Sequence, residues 1–217
     1  MSPLLNVVMH MIWPVSCPVC GAAAELLCES CLRSLVKPQL PRCLWCGEPS
    51  PCKIHADAAK IRAGSVYEGY MKDIILALKY GRYEAIGFKL GGALANVLAR
   101  PDIDILIPVP LHQKSKRRYN QAEAIALGIG EVWDIEVSRA VSWAEDIAPR
   151  AGAGMAERLS LKSDVFALDE DISGLRVALV DDVCTTGSTL ASLAKAVESH
   201  GADVVCACVA AQVPPIR

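Results

Sequence analysis

Apolar residues recur in this chain at the periods of both helices and strands, and from residue 61 onward the two alternate. Met71, Ile74, Ile75 and Leu78 fall at i, i+3, i+4 and i+7, which predicts an amphipathic helix ending near Lys79-Tyr80-Gly81. A second helix is predicted over Tyr83 to Ala99, stopped by Pro101. Asp104 to Val109, with Ile105, Leu106 and Ile107 in a row, reads as a buried strand closed by Pro108-Val109-Pro110. Asn120 to Trp133 has a helical pattern, and short strands are predicted at Ser65 to Tyr67, as an edge, and near Ile135 to Val137. Val177, Ala178, Leu179 and Val180 form a dry run, as in strands buried on both faces. A helix follows from Ser188 or Thr189. The last strand, Ala202 to Ala210, precedes Pro214-Pro215 and places Cys206 and Cys208 on one face, as core. Strands alternating with helices predict an α/β fold, a parallel sheet flanked by helices and joined by right-handed crossovers.

Length and composition agree with that picture. A chain of 217 residues suits one medium domain and a small appendage, here residues 61–217 and 1–60. The hydrophobic fraction of 53% against 5% aromatic predicts an aliphatic core. A formal net charge of −2 supplies no global field to recruit nucleic acid, although a local basic patch can still do so. Met1 to Ser16 is apolar without a basic start or a small-residue cleavage site, so a secretory signal is not expected. Leu4 to Val15, interrupted by His10 and Pro14, is far short of the roughly 20 residues that span a bilayer. A short helix packed on the body, no membrane insertion and a cytoplasmic location are expected.

Seven of the ten cysteines lie between residues 17 and 52. Cys17-x2-Cys20 and Cys28-x2-Cys31 offer four thiolates in two knuckles, enough to close a tetrahedral zinc shell. Cys43-x2-Cys46, Cys52 and His55 offer a second, Cys3His set, in which His55 is the weakest member; as an ordinary surface histidine it would leave that site three-coordinate or empty, so one or two structural zinc ions are expected. Gly21 and Gly47 follow the second cysteine of a knuckle, where the backbone turns tightly. A disulfide scaffold is the rival reading, disfavoured in a reducing compartment. An interleaved pairing of the four knuckles is open on spacing alone. Closed four-ligand sites are structural, and five Lys/Arg against four Asp/Glu in residues 1–60 give little ground for DNA binding there.

The most specific chemistry lies in Val-Ala-Leu-Val-Asp-Asp-Val-Cys-Thr-Thr-Gly-Ser-Thr, residues 177–189. Two acids at the carboxyl end of a dry strand stand where open α/β sheets bind ligands. Hydroxyls and a glycine then lead into a helix start, a ready phosphate site. Asp181 and Asp182 suit ribose hydroxyls or a magnesium-bound sugar, and Thr185, Thr186, Gly187, Ser188 and Thr189 suit its phosphate. A second stretch, Ile107 to Gln121, joins a strand to a helix and carries Lys114, Lys116, Arg117 and Arg118. Such cations can face an anion bound across the sheet from the two acids. They also oppose the dipole of the helix they precede, which favours a functional reason over a merely solvated charge run.

The 177–189 segment closely resembles the 5-phosphoribosyl-1-pyrophosphate (PRPP) motif of type I phosphoribosyltransferases. In that family the two acids hold the ribose 2′- and 3′-hydroxyls and the loop wraps the 5′-phosphate. With the paired Cys-x2-Cys knuckles, Ile75 to Tyr80, Pro108-Val109-Pro110-Leu111 and Arg117-Arg118-Tyr119-Asn120-Gln121, the chain resembles the competence protein F family over nearly its whole length. The resemblance implies a double zinc ribbon before a type I phosphoribosyltransferase fold. It places Pro110 and Leu111 in a pyrophosphate loop with Lys114 and Arg117 nearby. It also implies a part in natural transformation, in handling imported single-stranded DNA. Arg118 and Tyr119 replace the family's usual glycine and phenylalanine. Ala148 to Ala153 and Arg158 depart from the family's hood sequence, which leaves the acceptor unnamed. The expected function is transfer of the phosphoribosyl group of PRPP, with magnesium, to an unidentified acceptor, with Asp181 and Asp182 catalytic. The alternative is a non-catalytic factor that binds PRPP, single-stranded DNA or competence proteins.

Overall fold

The computed structural model describes residues 16–23, 25–81, 83–144 and 165–214. The short N-terminal helix expected before Ser16 and the hood departures at Ala148 to Ala153 and Arg158 lie outside these residues.

Every helix predicted in the body forms within a few residues of its expected ends, because each buries one apolar stripe. A short α1 (Glu29–Leu35) lies in the cysteine-rich front. In the body α2 covers Gly69–Tyr80, α3 Glu84–Val97 and α4 Gln121–Trp133. The fifth, α5, covers Ser188–Ser199. Asn120 caps α4, its Oδ1 accepting from the Ala122 N–H at 3.1 Å. The strands are β1 (Arg42–Cys43), β2 (Lys60–Ala63), β3 (Ile105–Pro108), β4 (Glu136–Val137), β5 (Val141–Trp143), β6 (Phe166–Leu168), β7 (Arg176–Cys184) and β8 (Asp203–Gln212). Six of them form one sheet in the order β1-β2-β8-β7-β3-β4; all neighbours are parallel except β1, antiparallel on β2. β5 and β6 pair antiparallel as a separate two-stranded sheet.

Three expectations need correction. Ser65 to Tyr67 is not a strand. The strand lies earlier, at β2, and is flanked by β1 and β8 rather than standing at an edge. Val66 makes only an isolated bridge, to Gln212. The sheet is not wholly parallel, since β1 closes it antiparallel. The motif strand does not stop at Val180: β8 continues beside it, pairing Asp181 with Val209 and Cys184 with Gln212, so the ladder runs through both acids.

The sheet separates two apolar clusters. One joins α2, α3 and α4 to Cys17, Leu27, Leu32 and Val36 of the front segment. The other joins α5 to Ile61, Leu44, Val141 and Phe166. Cys206 and Cys208 lie buried together in the first cluster. Among the described residues no helix is long and apolar enough to cross a membrane. The α3–α4 crossing is tight at Gly91, where a β-carbon would run into the Ile125 carbonyl oxygen. Backbone cannot yield as a flexible side chain can, so Gly91→Ala is expected to destabilise by about 3 kcal/mol. Urea denaturation checks this; an unchanged midpoint contradicts the tight crossing.

Candidate functional site

The two acids sit where β7 outruns its neighbour β3. β3 ends at Pro108, opposite Val180, and the Val109 N–H still donates to the Val180 carbonyl at 2.8 Å. From there the 109–120 loop turns away and opens a cleft of about 170 Å³ over Asp181 and Asp182. Pro110, Leu111, His112, Arg117 and Gln121 line it with the two acids. The loop is pinned at its far end: Asn120 Nδ2 donates to the Val109 carbonyl at 2.9 Å, and Tyr119 Oη donates to the Leu78 carbonyl at 2.6 Å. Arg117 Nη1 donates to Gln121 Oε1 at 3.0 Å, which aims the guanidinium along α4's first turn. Beside the loop, Trp143 packs between His112 and Phe166, with ring centroids 5.0 and 4.7 Å apart, and its Nε1 donates to the Pro110 carbonyl at 2.8 Å.

A second, smaller hollow adjoins the first across Asp181. Cys184, Thr185, Gly187, Ser188 and Thr189 line it. Gly187 caps α5 with φ +81°, a left-handed conformation that side chains disfavour, so the turn can close over the helix start. Ser188 N–H donates to Thr186 Oγ1 at 3.4 Å; Thr186 itself is exposed and outside the lining.

Electrostatics within the cleft are uneven. Lys79 Nζ pairs with Asp182 Oδ1 at 2.9 Å, and both side chains are largely buried. Burial, with the charge of Asp182 alongside, pushes the Asp181 carboxyl up from its ordinary 3.8 to about 7; Lys79 and Arg117 pull the other way. Asp181 can therefore hold or release a proton near neutrality, while its Oδ1 accepts from the Asp182 N–H at 2.7 Å.

Most of the predicted side chains converge on these two hollows, but Lys114 is exposed and lies outside the lining of either. Lys79 is the residue that sequence reasoning did not assign. Its signal is there, a lysine one turn beyond Ile75 on the buried stripe of α2, yet a cation in a last helical turn is ordinary enough to hide in that place.

The metal sets are separate from this site. Cys17, Cys20, Cys28 and Cys31 bring their sulfurs within 4.8 Å of one another, as do the donor atoms of Cys43, Cys46, Cys52 and His55. Each set is therefore consecutive in the chain, and the interleaved pairing does not occur. Cys20 and Cys28 Sγ are 3.5 Å apart, Cys46 and Cys52 Sγ 3.4 Å, and His55 Nδ1 is 3.6 Å from Cys43 Sγ. All ten cysteines are free thiols. These separations match the edges of a zinc tetrahedron, about 3.8 Å for 2.3 Å bonds, and not a disulfide. Crowding drives the thiols apart in acidity. Backbone N–H groups outweigh burial and bring Cys17 down to about 6, while hydrogen bonding to Cys28 and burial push Cys31 up to about 12. A divalent soft cation resolves that conflict by stabilising every thiolate at once. The donor sets fit zinc, in two closed sites with no open position for chemistry.

Comparison with known proteins agrees with both halves. A family model described as phosphoribosyl transferase domain matches residues 56–214, and one described as double zinc ribbon domain matches residues 8–61. The chain is 27% identical over 207 residues to the DNA utilization protein YhgH of Salmonella typhimurium, covering 87% of this chain and 86% of that protein. It is 31% identical over 108 residues to competence protein F of Haemophilus influenzae, 47% of each chain. A 92-residue stretch is 32% identical to a ribose-phosphate pyrophosphokinase of Hyphomonas neptunium, covering 42% of this chain and 29% of that one. The chain belongs to the phosphoribosyl transferase domain family and carries a double zinc ribbon ahead of that domain.

Proposed function

We propose that the double hollow binds PRPP and that the protein transfers its phosphoribosyl group to an acceptor, in a cytoplasmic pathway of DNA utilization. The observation that carries this reading is the junction of the two hollows at Asp181. A sugar lying across the acids would place its 5′-phosphate at the α5 start and its pyrophosphate beside Pro110, Leu111 and Arg117. Asp181 and Asp182 would accept from the ribose hydroxyls, and Lys79 would hold Asp182 in place for that contact. Arg117 would draw charge from the leaving pyrophosphate as the anomeric C–O bond lengthens and the sugar gains positive character. Among the described residues only two carboxylates line the cleft, which suits magnesium entering with the pyrophosphate rather than a protein-built cage. Magnesium would neutralise the leaving group. The handling of DNA is carried from the names of the relatives, which say it of those proteins.

The test is incubation of the zinc-loaded protein with PRPP and magnesium, with and without nucleobases, and assay of pyrophosphate release. Saturable release that is lost in Asp181→Asn is the expected result. Binding without release removes the transfer step, and no binding at all overturns the reading.

A second reading, a factor that holds single-stranded DNA without turnover, has one observation of its own. Lys114, Lys116 and Arg118 are exposed on the pinned loop, and the Tyr80 ring, 78% exposed, lies 6.0 Å from the Arg117 guanidinium. Basic side chains beside an open aromatic face suit a single strand. On this reading, replacing Lys114, Arg117 and Arg118 by Ala lowers the salt dependence of oligonucleotide binding by about two to three in slope. An unchanged slope excludes the loop as the contact.

A further inference from the structure

Arg42 belongs to the second metal knuckle by sequence and to the sheet by position. It stands one residue before Cys43, and its Nε donates to the carbonyl of Gly47, one residue past Cys46, at 2.8 Å. That bond spans the knuckle holding two donors of the second set and fixes the guanidinium stem upon it. In the sheet Arg42 is directly opposite Ile61, and opposed residues of an antiparallel pair project to the same face. Ile61 is buried in the cluster beneath α5, and its Cδ1 lies 3.3 Å from where a β-carbon of Gly187 would be. Gly187 is the α5 cap at the centre of the 185–189 turn. One side chain therefore separates the strand position of Arg42 from the backbone of that turn.

The charge of Arg42 also reaches this region. It acts to lower the pKa of Cys184, the residue before Thr185, against the larger effects of burial and of the Asp181 charge, which push that thiol up. Among the ion pairs of the described residues none involves Arg42. A cation held near the amino end of a helix is opposed by the helix dipole, unless an anion comes to lie between them. Asp181 is the carboxylate in this region, on the rim of the same hollow; at the 185–189 turn itself an incoming phosphate is the group that would relieve both.

The geometry points to Arg42 as a positioning charge for the phosphate end of the site, held there by the second zinc knuckle. This inference rests on the sugar-phosphate reading of the 185–189 turn. It extends that reading by coupling the metal held at Cys43, Cys46, Cys52 and His55 to ligand binding some distance away. Because such coupling is reciprocal, a phosphate ligand would also tighten zinc at the second site.

The test uses the full-length, zinc-loaded protein, titrated calorimetrically with ribose 5-phosphate and, separately, with magnesium pyrophosphate. Arg42→Gln is expected to weaken ribose 5-phosphate about tenfold, as loss of a nearby unit charge would. Pyrophosphate, bound at the other end of the cleft, stays within about twofold on the same argument. Arg42→Lys restores most of the ribose 5-phosphate affinity, and all variants keep two zinc ions per chain. Arg42→Met replaces the Gln variant if that protein does not fold. Equal weakening of both ligands, unchanged binding of both, or a loss that tracks zinc and that Lys does not rescue overturns the assignment. A wild-type protein that binds neither ligand overturns the sugar-phosphate reading itself, a failure that the unsubstituted protein alone reveals.

Discussion

Asp181→Asn is expected to lose PRPP binding and to gain thermal stability at pH 8. Burial and the neighbouring Asp182 raise the Asp181 carboxyl to about 7, well above its ordinary 3.8. A carboxyl raised on folding contributes stability that is fully present below about pH 4 and is lost as pH rises through about 7. At pH 8 the folded protein therefore bears the cost of an ionised Asp181. The full shift corresponds to about 4 kcal/mol, and partial water contact at the cleft leaves roughly half of it. Asn removes that cost and keeps the acceptor, since its Oδ1 can still take the Asp182 N–H. Thermal unfolding of Asp181→Asn at pH 8 should be several degrees higher than wild type, with the difference vanishing near pH 4. Asp182→Asn has the opposite sign. It breaks the 2.9 Å pair and leaves Lys79 largely buried without its counter-charge, a loss of about 2 kcal/mol. Both substitutions remove a charged acceptor for ribose hydroxyls, so each should weaken PRPP at least about 100-fold in calorimetry. Equal stability changes for the two variants would show that the acids do not differ as their surroundings require.

Elements with strong periodicity are legible in the sequence. Met71 to Leu78 has to be helical because its apolar residues cover one stripe, and all four are buried in α2. The dry run Val177 to Val180 has to be internal, and β7 lies between β8 and β3. What depends on partners distant in the chain is not legible. Two carboxylates are costly inside a sheet, which argues for a strand end at Val180, but β8 extends alongside and Lys79 meets one of the charges. β5 and β6 are three residues each, too short to show a period, and they exist because each supplies the other's hydrogen bonds. Likewise the basic run at 114–118 announces an anion site as a block, whereas only Arg117 of its cations lines the cleft. Charge runs carry no period, so their members cannot be told apart until the loop is pinned by Tyr119 and Asn120.

Loss of either zinc should disrupt the body as well as the ribbon, because each metal set is built into one face of the sheet. Cys17, Cys28 and Cys31 belong to the same buried cluster as Ile74, Leu78, Ile86 and Leu90, and Lys89 Nζ donates to the Leu27 carbonyl at 3.1 Å. On the other face Leu44, one residue past Cys43, packs in the cluster of Ile61, Leu190 and Val209. A ribbon of this size has too little apolar surface to hold its shape, so the metal supplies its folding energy. Releasing the first ion frees α1, withdraws Leu27 and Leu32 from α2 and α3, and exposes apolar surface on the body. Cys31→Ser is thus expected to reduce zinc from two to one per chain and to cost on the order of 4 kcal/mol, lowering the unfolding temperature by roughly 10 °C. Cys43→Ser should act similarly through the opposite face, displacing β1 from the sheet edge. Cys206→Ala, in the core but in neither metal set, should keep both ions. Zinc determination beside thermal unfolding decides the matter. A variant that loses one ion while the body unfolds at the wild-type temperature would show the ribbon to be an independent attachment, contrary to the shared core.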